Sequence, residues 1–318
     1  YWVGSSSSGS GVATAAGLCF GSLGSDTGGS IRYPCAAGNL TGIKPTNGRV
    51  SRYGIFPLAE TLDHIGPMAR STADCAAILQ VIAGWDAHDP TSIDTAVPEY
   101  SADVGKSIRD MRIGIDRSYS LDGTDPQITT ALEQAVTLLE GLGARIVDVR
   151  MPDYEELVEA WIMMCAIETA VAHKDTYPTH ADHYGPSLAQ LIDEGHATTG
   201  MRAARGHQLR VLFSSALSTM FGDVDCMLCP TIPKLIPSLA KMTDYGSDPK
   251  VLHAIMRFTA PFNFSGNPTI TLPSGIDTAG MPLSMQIVGP HLGESSIIQA
   301  ADAYQRVTSW HTRHPKIG

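Results

Sequence analysis

The sequence predicts an α/β protein, a central β-sheet flanked by helices, and three observations carry that expectation. Residues 112–149 read as a strand, an amphipathic helix and a returning strand. Two further strands bracket the Gly275–Gly280 turn, and an amphipathic helix from Glu294 to Trp310 follows them. Hydrophobic residues make up 43% and charged residues 17% of the 318 positions, a balance suited to a globular protein with a sizeable core.

Each element has a local reason. Ser10 to Gly17 is rich in small residues and reads as a short helix, with Leu18 to Leu23 as a buried strand behind it. Ile31 to Ala37 reads as one helical turn that tolerates Pro34 near its start. Glycines and prolines punctuate Leu40 to Tyr53 into strands and turns, where Lys44 and Arg49 are expected to pair with carboxylates or carbonyls. Ser71 opens a helix that Ser71 or Thr72 can cap and that Gly84 ends. Trp85 to Gly105 is a polar connector. Arg112 to Asp116 is a strand, and Ile128, Leu132, Ala135, Val136 and Leu139 give Asp125–Leu142 one apolar face. Ala144 to Val149 alternates as the returning strand, and Tyr154 to Leu217 is mostly helical. Asp225 to Pro230 is a buried strand, Pro249 to Arg257 a helix and Phe258 to Asn267 a loop.

Composition excludes several classes. A net charge of −10 argues against a nucleic-acid partner, and no apolar run reaches the ~20 residues of a membrane span. Six cysteines without a disulfide-scaffold spacing read as reduced thiols of a cytoplasmic protein. Cys226 and Cys229 form a lone CxxC, more readily explained by a buried strand than by redox chemistry. His173, His180 and His183 have no carboxylate or cysteine cluster to join them, so neither a metal nor a cofactor is expected.

The stretch that organises the chain is Gly4–Pro34. A serine run precedes an apolar middle (Val12, Leu18, Phe20, Leu23) and a second turn, Asp26-Thr27-Gly28-Gly29-Ser30-Ile31-Arg32. Glycines at 28 and 29 let successive N–H groups point at one spot and form an anion-binding nest, with a serine at its end.

These residues resemble the amidase signature family of Ser-cisSer-Lys hydrolases. The resemblance is carried by Gly4–Ser10, Gly24–Pro34, Gly42-Ile-Lys-Pro-Thr46, Gly48–Gly54 and Leu62–Met68, and more loosely by Cys229–Thr231, Phe258–Asn263 and Gln286–Gly289. It implies a mixed central sheet flanked by helices. It also implies a single amidase signature domain over 1–318, with 150–260 as a helical substrate-pocket region. Ser30 looks like the acyl-forming nucleophile. Ser6, 24 residues earlier, looks like the bridging serine on a cis peptide bond, and Ser5 stands where many relatives have glycine. The N–H groups of Thr27, Gly28, Gly29 and Ser30 would form the oxyanion hole, with Asp26 and Arg32 bracing the turn. No lysine of the chain lies in a motif resembling the family's lysine element. The catalytic lysine, with an N-terminal part of the fold, is therefore expected outside these 318 residues.

The chemistry this implies is hydrolysis of a carboxylic acid amide to an acid and ammonia or an amine through a seryl ester. The partner is a small-molecule amide, with no nucleic acid and no membrane, and a homodimer is compatible with it. A stable amide needs an activated nucleophile, oxyanion donors and a proton path to the leaving amine. Rival readings lack their residues. There is no Gly-x-Ser-x-Gly elbow, Asp26-Thr-Gly28 has only the imperfect copy Asp277-Thr-Ala279, and Gly28-Gly29 is followed by Ser-Ile where a phosphate-binding loop would have Gly-Lys-Ser/Thr. The alternative from another class is an assembly component similar to the A-type chain of glutamyl-tRNA amidotransferase. Tyr33 stands where that chain usually has glutamine, which favours a stand-alone amidase.

Overall fold

The computed structural model describes residues 1–245 and 249–315. The serine run turns into helix α1 (Ser8–Ala15), then strand β1 (Gly21–Ser25), the Asp26–Ile31 turn and helix α2 (Arg32–Gly38). Strands β2 (Thr41–Lys44) and β3 (Ile65–Ala69) follow, then helix α3 (Thr72–Ile82), where the Ser71 hydroxyl accepts from the Asp74 N–H as an N-cap. The predicted strand–helix–strand unit is β4 (Arg112–Ile115), a short α4 (Arg117–Leu121), α5 (Pro126–Gly141) and β5 (Arg145–Asp148). Asp125 caps α5 through the Gln127 N–H, and Pro126 occupies the first turn, where its missing N–H costs nothing.

The helical stretch resolves into α6 (Leu157–Ala172), α7 (Pro186–Ala197) and α8 (Gly200–Met220). Strand β6 (Cys226–Pro230), α9 (Leu239–Tyr245), α10 (Pro249–Met256), α11 (Ala260–Ser265), β7 (Thr269–Ile276), β8 (Pro282–Val288) and α12 (Glu294–Arg306) complete the chain.

Eight strands form one sheet in the order β1-β3-β2-β7-β8-β6-β4-β5. The sheet is mixed: β4 pairs parallel with β5 and β6, and the remaining pairs are antiparallel. Strand alternation divides the core into two layers. From β6, Cys226 and Leu228 join Leu79, Leu132, Leu139, Ile297 and Tyr304 of α3, α5 and α12 on one face. Met227 and Cys229 join Leu157, Met164, Phe213, Leu217 and Phe262 of α6, α8 and α11 on the other. Both CxxC thiols are buried, and burial pushes the Cys229 thiol up to about 12, far from a reactive thiolate.

Two expectations are corrected. Leu18–Leu23 is not a buried strand: β1 begins at Gly21 on the sheet edge, with Leu18 79% and Phe20 92% exposed. Apolar composition carries no information on whether a neighbour lies outside the edge. Phe258–Asn267 is not a loop throughout, because α11 occupies its middle, with Pro261 in its first turn and left-handed Gly266 just past its end.

Candidate active site

The site is built on the turn between β1 and α2. Asp26 pairs with His64 through both backbone directions, at 2.8 and 3.1 Å, which fixes the end of β1 against the approach to β3. Its carboxylate lies beneath the turn and accepts the N–H groups of Gly29 (2.8 Å), Ile31 (3.1 Å) and Arg32 (3.3 Å). The Arg32 guanidinium forks onto both Asp26 oxygens at 2.9 and 3.0 Å and reaches Asn263 Oδ1 at 2.5 Å. Asn263 Nδ2 returns to Asp26 Oδ1 at 2.9 Å and to the Asp26 carbonyl at 2.8 Å. Both charges of the pair are fully buried. Burial pushes the Asp26 carboxyl up, but the charge and hydrogen bonds of Arg32, with help from Lys44 and Asn263, hold it well below the usual range.

The rest of the turn is held from three sides. The Thr27 hydroxyl donates to Asp63 at 2.5 Å, and Asp63 also accepts the Leu58 and Ala59 N–H groups. Gly28 lies against the Trp161 ring and Met256: a Cβ there would fall 2.5 Å from Trp161 Cζ2 and 2.8 Å from Met256 Cε. Gly29 has φ +137°, which only glycine adopts freely, and the Tyr33 ring packs beneath it. The Tyr33 hydroxyl is bound to Thr259 Oγ1 at 2.6 Å.

Ser30 is half-buried at the end of this turn, and its Oγ lies 2.9 Å from Ser5 Oγ. Ser6 is exposed, and the Ser5–Ser6 peptide is trans, the cis bond of the described residues being Tyr177–Pro178. The Ser30 contact is thus made by Ser5 and not by Ser6, the residue to which the family resemblance assigns the bridging role. The reason is local: the run turns into α1 with Ser8 N–H donating to Ser5 C=O, and one step along a helical turn rotates a side chain by about 100°. Ser7 Oγ is tied to both backbone groups of Ser25 at 3.1 Å, which fixes the serine run to β1.

The four expected donor amides are not equivalent. Gly29 N–H is committed to the Asp26 carboxylate, so it is not free for a ligand. The N–H groups of Thr27, Gly28 and Ser30 have no acceptor among the described residues. Lys44 is fully buried and donates to the carbonyls of Asn267 (2.6 Å) and Pro45 (3.2 Å). Burial, and then the charge of Arg32, push its pKa well below the ordinary value. Arg49 likewise binds the Tyr100 hydroxyl and the carbonyls of Thr95 and Ala96. Among the described residues no lysine hydrogen-bonds Ser5, Ser6 or Ser30, and the Lys250 side chain and Lys316 lie outside them. His173 binds the Tyr184 hydroxyl, while His180 and His183 stack on each other.

The family model described as Amidase matches residues 1–298. The chain belongs to the amidase signature family. It is 45% identical over 316 residues to the provisionally assigned amidase AmiD of Mycobacterium tuberculosis, covering 99% of this chain and 66% of that protein. It is 35% identical over 339 residues to the A-type chain of the glutamyl-tRNA(Gln) amidotransferase of Chromohalobacter salexigens, covering 99% and 69%. Among solved structures, 6-aminohexanoate cyclic dimer hydrolase complexed with substrate superposes with a TM-score of 0.88 at 25% identity, covering 99% and 70%. The eight-stranded mixed sheet with flanking helices is thus the amidase signature fold, and the chain spans about two thirds of these relatives' length.

Sequence reasoning missed Asp63, His64, Trp161 and Asn263 as parts of this site. Asn263 lies in one of the segments that carry the resemblance, but nothing in its neighbours marks it as a ligand of Arg32. Trp161 lies in a helix whose apolar residues run nearly all round, so its pattern singles out no face.

Proposed function

We propose that the protein is an amidase that hydrolyses a small carboxylic acid amide to the acid and ammonia or an amine through an ester on Ser30. One observation carries the reading: three uncommitted backbone amides and a hydroxyl-paired serine lie on one turn held by a buried ion pair. In the proposed reaction Ser30 Oγ attacks the amide carbonyl carbon, and the new C–O bond forms as the carbonyl π pair moves onto oxygen. That oxyanion is bound by the N–H groups of Thr27, Gly28 and Ser30, each such donor typically contributing about 2.7–4 kcal/mol. The Ser30 proton leaves through the serine run towards a base and is delivered to the departing nitrogen as the C–N bond breaks. Water then attacks the ester and releases the acid.

The base is assigned to a lysine other than Lys44, outside the described residues. The support is that Lys44 is occupied by two carbonyls and that no lysine of the described residues reaches the serines. The helical region 150–260 is assigned to the substrate pocket, because Trp161 and Met256 from it cover Gly28. A fluorophosphonate should label Ser30 in the full-length protein, and Ser30→Ala should lose both labelling and amide turnover. Full turnover by that variant would overturn the reading.

Similarity to an amidotransferase chain raises a second reading, assembly with an ammonia-delivering partner. Tyr33, buried against Thr259 where the glutamine of that chain is expected, favours the stand-alone enzyme. Co-purification of stoichiometric partner subunits would reverse that preference.

A further inference from the structure

The orientation of the Thr27–Gly28 peptide is not fixed by side-chain bulk on its Gly28 side. Gly28 has no Cβ to resist a flip of that peptide, so a hydrogen bond must hold it. In a trans peptide the C=O and N–H point in opposite directions, so whatever holds a carbonyl also aims the next residue's N–H. Each uncommitted amide of the turn has such a holder. The Asp26 carbonyl is held by His64 N–H and Asn263 Nδ2, which aims Thr27 N–H. The Gly29 carbonyl is held by Tyr33 N–H at 2.7 Å, which aims Ser30 N–H. The Thr27 carbonyl, whose peptide carries Gly28 N–H, is held by Trp161 Nε1–H at 2.8 Å, and among the described residues by no other donor.

We propose that Trp161 is a positioning residue of the reaction: its indole N–H, by holding the Thr27 carbonyl, aims the Gly28 N–H at the developing oxyanion. The inference rests on the amidase reading of Ser30. Two independent features of Trp161 act together, since its ring also lies against Gly28. A donor on the carbonyl further polarises the N–H of the same peptide, strengthening it towards an anion more than towards a neutral carbonyl. The contribution is therefore larger in the transition state than in the bound substrate.

The test uses the full-length protein with Trp161→Phe and, at the same position, the isostere benzothienylalanine, which replaces only the ring N–H by sulfur. The measurements are kcat and KM for an amide substrate, the affinity of a trifluoromethyl ketone that forms a tetrahedral adduct on serine, and Tm. The expected result is an about tenfold fall in kcat with KM little changed, matched by an equal fall in affinity for the ketone. The isostere should reproduce it with Tm unchanged, and it decides the question if the Phe variant folds poorly. Unchanged kcat, or a loss confined to KM, overturns the role of Trp161 if fluorophosphonate labels Ser30 in the wild type. Absence of that wild-type labelling would instead overturn the amidase reading itself.

Discussion

Arg32 and Asp26 form a fully buried, two-pronged ion pair directly beneath the turn that carries Ser30. Because Asp26 also accepts three backbone N–H groups of that turn, the pair fixes backbone shape as well as charge. Removing one partner of such a pair leaves an uncompensated buried charge. Arg32→Met is therefore expected to cost about 3–5 kcal/mol of unfolding free energy. Arg32→Lys should rescue little of this, since an ammonium cannot fork onto both oxygens. Urea denaturation decides it, and a loss below about 1 kcal/mol, the scale of a surface pair, would contradict the arrangement.

The proposed serine relay can be tested residue by residue. On the observed geometry, Ser5→Ala removes the hydroxyl that touches Ser30 and should lower kcat by about 10²–10⁴-fold. Ser6→Ala, altering an exposed side chain, should have a small effect. The opposite order in steady-state kinetics would give the role to Ser6, as the family resemblance implies.

Gly28→Ala places a methyl group against the Trp161 ring and Met256. Moving the turn to make room displaces the donor amides, and a misplacement of about 1 Å can cost 10²-fold in rate. Gly9→Ala serves as the control, since its added Cβ meets nothing within 4 Å. Equal activity of the two variants would show that the contact with Trp161 yields freely.

His64 should give the fold an acid-sensitive component. Its Nδ1–H donates to the Leu62 carbonyl at 2.7 Å, and burial followed by the charge of Lys44 pushes its pKa well below the ordinary 6.5. The unfolded chain therefore takes up a proton below about pH 6.5 that the folded chain refuses, so stability falls as pH drops through that range. Asp26 acts in a separate window, below the ordinary carboxylate value of 3.8, where a depressed carboxyl likewise loses its contribution. Comparing His64→Gln with wild type between pH 6.5 and 5 should show a flatter stability slope, by up to about 1.4 kcal/mol per pH unit. Parallel slopes would mean that His64 accepts its proton in the folded state.

The fold was legible where one residue fixes a local outcome. Asp125 with Pro126 and Ser71 with Asp74 mark helix starts, and the β4–α5–β5 pattern gives the α/β class. Ser30, Asp26 and Arg32 were legible because they share a seven-residue turn. What escaped depends on partners distant in sequence. Nothing near Phe20 says that β1 is an edge strand among the described residues, and nothing near Asn263 or Trp161 says that each will meet a residue more than 130 positions earlier. Which of Ser5 and Ser6 meets Ser30 is a matter of side-chain direction in a turn, which a motif match does not encode.

The brace of the turn is assembled from residues far apart in the sequence. Arg32 reaches Asn263 and Gln286, 231 and 254 residues further along the chain. A ribosome adding roughly 5–20 residues per second makes those ligands tens of seconds after Arg32 has emerged. Throughout that interval the nascent chain carries Ser30 without the side chains that shape its surroundings. On the proposed reading, a chain truncated before Asn263 and Gln286 should be inactive towards amides rather than partly active.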